Sequence, residues 1–433
     1  MALVSPQIQL ELQSRPSLLD NSNLHLLILG FVSVSVSLGT AVAAIGRLCL
    51  YLLVLWFIVR RPNAKTMPLS LAFEPWYKRW EWMTIAAVAY MGCTVLWTSV
   101  EWELGIWAWS EHARLITIPA VYLLINSAAD ARNLLRVFLF SQLFVVFSSW
   151  LLIANVEVPW ALAEHAQRDF EVFGTYLEQS ISEAITAFIV WHQRHWIFGD
   201  RRRIPAIATS ALLVFHVVVF LPSRTGYLVT AVLFCISLFL HLPRRWLWAG
   251  AILSLLLTFS LLGADKPTRN DVLQWSQNKS TPSDPRDRQI STDVRLNFWS
   301  TSLKAIAERP FFGSGSGSWN REYLRVTTVD IPTYRNIRDP HQMFLLWAVE
   351  GGAIGLCLLC ATLLALLYRS KSMASGDAHS LQAILLALGV AGLTTSTIYG
   401  IGMGDFFCVG IGILLSLGHW QQREHMGDSS DIA

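Results

Sequence analysis

The stretch RDPHQMFLLWAVEGGAIGLCLLCATLLALLY, residues 338–368, decides the fold class of this chain. It places Arg338, Asp339, Pro340 and His341 directly before an apolar run that is long enough to cross a hydrocarbon core, which takes about 20 residues. The 433 residues as a whole are 53% hydrophobic and only 15% charged, with a mean hydropathy of +0.44. This composition lies outside that of soluble proteins and predicts an integral membrane protein. It gives no support for a nucleic-acid partner.

Apolar segments of suitable length recur along the chain and predict an all-α polytopic membrane protein with about twelve transmembrane helices. The stretch 24–59 would be about 54 Å long as one helix, too long for a core of about 30 Å, so we expect two passes with a turn near Gly39. The predicted spans are 24–39, 41–59, 82–100, 115–129, 134–154, 176–196, 204–221, 225–240, 246–263, 344–368, 381–399 and 406–420.

The distribution of lysine and arginine predicts the orientation. Basic residues concentrate in the loops that follow even-numbered spans, whereas the short loops on the other side hold only Arg168 and Arg224. Because cytoplasmic loops carry the excess of basic residues, both termini are expected in the cytoplasm. Three regions follow: spans one to nine in 1–263, a long extracytoplasmic loop in 264–341, and spans ten to twelve with a cytoplasmic tail in 342–433.

The long loop contains an amphipathic pattern. Leu296, Trp299, Leu303 and Ile306 recur at helical spacing, Asp293 is a suitable N-cap, and Pro310 with Gly313 ends the pattern. We predict a helix from Val294 to Glu308, lying on the membrane surface or against the bundle. The glycine run GSGSGSW at 313–319 lacks the features of a P-loop, so a flexible turn is favoured over a phosphate nest.

No cofactor or metal site is predicted. The six cysteines all fall inside apolar runs, so we do not expect a framework of disulfide bonds. Cys357 and Cys360 form a CxxC, but no second pair or nearby histidine completes a zinc ligand set.

Basic residues inside or at the edge of apolar spans are candidates for function because such charges are costly there. On the predicted topology Arg47, Arg114, Arg224 and His341 lie toward the outer face, and further arginines of the outer loop can converge with them. These loop residues are Arg295, Arg321, Arg325, Arg335 and Arg338. The guanidinium group of arginine can donate two parallel hydrogen bonds to phosphate oxygens. A cluster of arginines near the outer membrane surface therefore predicts a binding site for an anion such as a lipid diphosphate. Alternatives remain: Arg114 can snorkel or pair with Glu111, and Arg321 with Arg325 can form a solvated face.

His341 is a candidate general base. Asp339 fits the N-cap and Pro340 the first turn of span ten, so we expect the imidazole at a helix N-terminus, where the neutral ring is favoured. A structural hydrogen bond is the alternative. Asp405 can orient His341, neutralise an arginine, or cap the last span.

Three motifs together resemble the O-antigen ligase and polymerase superfamily. They are SRTGYL at 223–228, RLNFWSTSLKAIAERPFFGSGSGSW at 295–319, and HQMFLLWAVEGGAIGLCLL at 341–359. They occur in the family order, with the long outer loop in its expected place, over about residues 205–420. Gln342 departs from the asparagine that commonly follows the family histidine.

The resemblance implies a metal-independent, inverting glycosyltransferase without a cofactor, acting at the periplasmic face of the bacterial inner membrane. The resemblance implies three catalytic residues. Arg224 and Arg295 would bind the donor diphosphate, and His341 would assist the attack by the acceptor hydroxyl. Within the superfamily an O-antigen ligase is favoured, which moves a glycan from undecaprenyl diphosphate to lipid A-core in contact with membrane lipids. The short stretch after Trp420 disfavours a protein acceptor. Two alternatives stay open: an O-antigen polymerase, and a transporter for an anionic solute.

Overall fold

The structure is a computed structural model that describes residues 21–60, 79–163, 166–199, 203–241, 243, 285–327 and 337–430. Every regular element within these ranges is a helix, which confirms the predicted all-α class. In chain order the α-helices are α1 Asn21–Ser35, α2 Thr40–Arg60, α3 Trp80–Cys93, α4 Trp102–His112, α5 Thr117–Leu124, α6 Ala128–Ile153, α7 Ala166–Asp169, α8 Tyr176–His192, α9 Arg194–Phe198, α10 Arg203–Val219, α11 Arg224–His241, α12 Pro285–Glu308, α13 Trp319–Val326, α14 Met343–Ser370, α15 Ser375–Gly392 and α16 Ile401–Ser430.

Within the described ranges, four helices are long and apolar enough to cross a membrane: Thr40–Val59, Ala128–Ile153, Met343–Ser370 and Gly402–Glu424. Three shorter apolar helices accompany them: Leu24–Ser35, Arg203–Val219 and Arg224–Leu240. The predicted span 246–263 lies outside the described residues. The count of twelve spans therefore stays a prediction, as does the division of the chain into three regions.

Two helices form the centre of the bundle. α16 packs against α2, α5, α6 and α15, and α8 packs against α10, α11 and α15. Gly410 and Gly412 permit the close approach around α16, because a Cβ on either would lie 2.8 Å from Ile384 or Val121, respectively. Small residues serve this purpose in membrane bundles, where contact between backbones replaces the hydrophobic driving force.

The structure corrects the predicted spans 82–100 and 115–129. α3 ends at Cys93 and continues as a 3₁₀ turn, after which the separate helix α4 begins at Trp102. The second segment contains the end of a 3₁₀ turn, the eight-residue α5 and the start of α6, which Ser127 caps by accepting a 3.0 Å hydrogen bond from the Asp130 N–H. Hydropathy averages over a window and does not register such a cap. The helix predicted from Val294 to Glu308, α12, ends at Glu308 but begins at Pro285.

The glycine run at 313–319 packs against a break in α14. At Gly352 the backbone has φ 64° and ψ −163°, so the helix changes direction there and leaves carbonyl groups without helical partners. The N–H groups of Ser314 and Gly315 donate to the carbonyls of Val349 and Glu350 at 2.8 and 2.9 Å. The run is therefore neither a flexible turn nor a phosphate nest, because these buried N–H groups already have acceptors.

We expect Gly352→Ala to lower the melting temperature of the detergent-solubilised protein by several degrees. A methyl group there would overlap the Phe311 carbonyl, and this backbone conformation costs other residues about 1–3 kcal/mol. Gly389→Ala is the matched control, since its Cβ would meet nothing within 4 Å and alanine favours a helix by up to about 1 kcal/mol. Equal melting temperatures for the two variants would contradict the role assigned to the break.

Candidate active site

His341 lies in the segment between α13 and α14, outside both helices. The Gln342 side chain caps α14 by accepting a backbone hydrogen bond from its first turn. The predicted helix start at Asp339 and Pro340 is therefore wrong. The backbone gives the reason: His341 has φ 51°, a left-handed conformation that no residue inside a right-handed helix adopts.

Asp339 holds His341 in this conformation. Its Oδ1 atom accepts the His341 backbone N–H at 2.8 Å and lies 3.3 Å from the imidazole Nδ1. The Ser396 hydroxyl donates to the same oxygen at 2.6 Å. Burial by itself raises the pKa of this carboxyl, but the neighbouring His341 and the Ser396 hydrogen bond bring it below the ordinary value. Asp339 is therefore a carboxylate at neutral pH, and its stabilising contacts are lost only as the pH falls through that lowered pKa.

α12 covers the other side of the histidine. The Trp299 Nε1 donates to the Pro340 carbonyl at 3.2 Å, and the Phe298 ring centroid lies 6.1 Å from that of His341. Phe298 is fully buried against Trp319 of α13, so the helix is anchored on its apolar face. The position of the imidazole is thus fixed from α12 and from Asp339.

Arg295 lies one helical turn before Trp299 and three residues before Phe298, on the same face of α12. Burial lowers the pKa of its guanidinium, opposed by the Tyr176 phenol and reinforced by the charge of Arg224. The structure therefore brings Arg224 and Arg295 into mutual electrostatic range. Among the described residues no carboxylate lies within ion-pair distance of either guanidinium.

Residues 393–400, between α15 and α16, join these groups. Thr394 shares a 2.9 Å hydrogen bond with Thr225, which follows Arg224 at the start of α11. Ser396 contacts Asp339, as described, and the Ile398 carbonyl accepts from Arg114 at 3.0 Å. One short segment thus links the start of α11, the histidine segment and the interior of the bundle.

A family model described as O-antigen ligase matches residues 209–360. This segment of the chain is similar to the O-antigen ligase family. No curated protein matches the chain. The match runs from within α10 to within α14 and contains Arg224, Arg295 and His341.

The matched segment does not include Arg47, Arg114 or Asp405. Arg47 donates to both carboxylate oxygens of Asp405 at 2.9 Å. Arg114 is fully buried, pairs with Glu111, and donates to the carbonyls of residues 398 and 399. Of the roles predicted for Asp405, the structure favours neutralisation of an arginine. Asp405 pairs with Arg47 and does not orient His341. It also does not cap α16, because that helix begins four residues earlier, at Ile401.

The remaining arginine candidates lie on or next to the loop helices. Arg321 is exposed on α13, and Arg325 is exposed and paired with Glu308 and Glu322, whose carboxylates raise its pKa. Arg335 lies outside the described residues. Arg338 is exposed, with its guanidinium carbon 4.6 Å from the centroid of the Trp107 ring. The convergence of these arginines with Arg224, Arg295 and His341 on one anion site stays a prediction.

Sequence reasoning missed two features of the site. It did not identify Asp339 as the partner of His341, although an acidic residue two positions away can reach an adjacent backbone N–H. It also missed the ion-pair geometry of His112 and Glu350, whose Nε2 and Oε2 atoms lie 2.7 Å apart in the interior. The detectable signal was Glu350 itself, a charge within the apolar span 344–368.

We expect Arg47 and Asp405 to be strongly coupled. Asp405→Leu or Arg47→Leu alone leaves an uncompensated charge in the bundle, which typically costs about 3–5 kcal/mol. The double variant removes both charges and should unfold at a higher temperature than the less stable single variant. Thermal unfolding of the four proteins in one detergent measures this coupling. Additive losses would show that the pair contributes no interaction energy.

Proposed function

We propose that the protein is an O-antigen ligase that transfers a glycan from undecaprenyl diphosphate to lipid A-core at the periplasmic face of the inner membrane. The family match supports a glycosyltransferase-like enzyme of lipopolysaccharide biosynthesis. The proposal depends chiefly on one observation: α12, the helix that carries Arg295, contacts the His341 segment through Trp299 and Phe298. The charge of Arg224 adds to burial in lowering the pKa of Arg295.

The two arginines suit a diphosphate. Neither has a carboxylate partner among the described residues, and two like charges held close gain from an anion between them. Arg224 also begins α11, so the positive end of that helix dipole adds to the attraction. Because α11 is apolar over Arg224–Leu240, a polyprenyl tail can lie along it in the bilayer. The guanidinium groups would supply the positive charge that a divalent metal supplies in many glycosyltransferases.

His341 suits the acceptor side of the reaction. The acceptor hydroxyl oxygen attacks the anomeric carbon as its proton passes to the imidazole. The bond from that carbon to the diphosphate oxygen breaks, and Arg224 with Arg295 stabilises the charge of the departing diphosphate. A single displacement of this kind inverts the anomeric centre. Asp339 would orient the ring through Nδ1 and stabilise the imidazolium that forms, as a carboxylate does beside a catalytic histidine.

The proposed orientation has both termini in the cytoplasm. The distribution of basic residues supports it, because Arg132, Arg136, Arg194 and Arg369 lie near the ends of helices opposite to His341. The site would then open to the periplasm, where lipid-linked glycan and lipid A-core both present their sugars.

Liposomes that contain the purified protein, lipid-linked glycan and lipid A-core test the function. A glycan joined to lipid A-core supports the ligase, and a glycan extended on a second lipid carrier would instead identify a polymerase. Export of an anionic solute from the same liposomes without any joined product would support a transporter and reject both.

We expect His341→Ala to lower the rate of transfer by about 10²–10⁴ while donor affinity is unchanged, because a general base contributes about that much. Asp339→Asn should lower kcat less. It should also move the acidic limb of the pH–rate profile to lower pH, because the imidazolium loses its counter-charge. An unchanged rate for His341→Ala in purified, folded protein would reject the assignment of the base.

Arg224→Lys and Arg295→Lys should each weaken the binding of undecaprenyl diphosphate about tenfold or more. Lysine keeps the charge but loses the planar fork that engages two phosphate oxygens. Arg309→Lys, at an exposed position just beyond the same helix, is the matched control and should bind like the parent protein. Native affinity in both test variants would place the diphosphate elsewhere.

A further inference from the structure

The histidine segment contacts two different helices. Pro340 and His341 contact α12, which holds Arg295, whereas Arg338 contacts Trp107 of α4. Asp339 lies between the two contacts in sequence. A general base must lie within hydrogen-bond reach of the acceptor hydroxyl, so with the donor at Arg295 on α12 the acceptor belongs on the other side of the segment, against α4.

The α4 side presents aromatic surface. Trp107 is 37% exposed, and the edge of the Tyr399 ring meets it with the ring centroids 5.9 Å apart and an interplanar angle of 88°. Tyr399 is supported from behind by the buried His112, whose ring centroid lies 5.6 Å away. Three residues before Tyr399, Ser396 binds the carboxylate of Asp339. The aromatic pair is therefore held in a defined position relative to His341.

Arg338 adds an unengaged cation to this surface. Its guanidinium stacks on the Trp107 ring, and among the described residues it has no carboxylate within ion-pair distance. An arginine stacked on an aromatic ring keeps its N–H groups at the edge, where they can bind a phosphate or carboxylate in a bidentate manner. The charge of Arg338 also acts on the Tyr399 phenol.

We propose that Trp107, Tyr399 and Arg338 form an acceptor subsite that binds an anionic sugar, one carrying a phosphate or a carboxylate. The apolar face of a pyranose packs on the aromatic rings, and Arg338 binds the anionic substituent. Two residues lie between Arg338 and His341, so their Cα atoms are at most ~11 Å apart, and a sugar held here places a neighbouring hydroxyl within reach of the imidazole. This inference rests on the proposed function, because it takes the acceptor to be a glycan.

Binding to the full-length protein in detergent tests the subsite without requiring turnover. The probes are a lipid-free, phosphorylated core oligosaccharide and the same oligosaccharide after phosphatase treatment, titrated by calorimetry. We expect at least tenfold tighter binding of the phosphorylated form. Arg338→Gln should remove this difference, and Trp107→Ala should weaken both forms by at least tenfold.

Trp102→Ala is the matched control, since this tryptophan of the same helix is 65% exposed and should not affect binding. Trp107→Phe keeps an aromatic ring and should retain most of the affinity, which separates loss of the subsite from loss of folding. Undecaprenyl diphosphate should bind all four variants equally.

Two results would overturn the subsite: unchanged oligosaccharide affinity in Trp107→Ala and Arg338→Gln, or a loss confined to undecaprenyl diphosphate, which would assign these residues to the donor. Failure of the proposed function looks different. It would appear as specific oligosaccharide binding without any glycan transfer in liposomes.

Discussion

The carboxylate of Asp339 is the interaction on which the site depends. Its Oδ1 atom accepts hydrogen bonds from the Ser396 hydroxyl and the His341 backbone N–H, and it lies beside the imidazole Nδ1. Asp339 thereby joins the histidine segment to residues 393–400. The left-handed backbone at His341 is maintained because Asp339 on one side and α12 on the other over-determine it.

A second stretch of irregular backbone, at Gly352 within α14, is likewise stabilised by hydrogen bonds to other parts of the protein. A broken helix is tolerated at membrane depth only where protein groups satisfy the freed carbonyls. The glycine run does this at Gly352, and it also brings the end of α12 against the bundle. This glycine-rich turn therefore helps to position α12, which carries Arg295 and Trp299.

The sequence was sufficient for the class of fold and for the end of α12, because helical periodicity is a local signal. The convergence of Arg224, Arg295 and His341 on one site stays a prediction. It was insufficient where a contact joins distant residues. Arg47 and Asp405 stood out as charges in apolar segments, yet their pairing across 358 positions has no local signature. The N-cap of α14 was misplaced because Asp339 is a residue type that often caps helices. Its Oδ1 atom instead accepts hydrogen bonds from His341 and Ser396.

A structure of the protein in a lipid nanodisc with undecaprenyl diphosphate bound tests the central claim most directly. The account predicts phosphate oxygens within about 2.7–2.9 Å of guanidinium nitrogens of both Arg224 and Arg295, with the His341 ring facing the first sugar when a glycan is present. A diphosphate bound at Arg47 and Arg114, with Arg224 and Arg295 left in solvent, would contradict it.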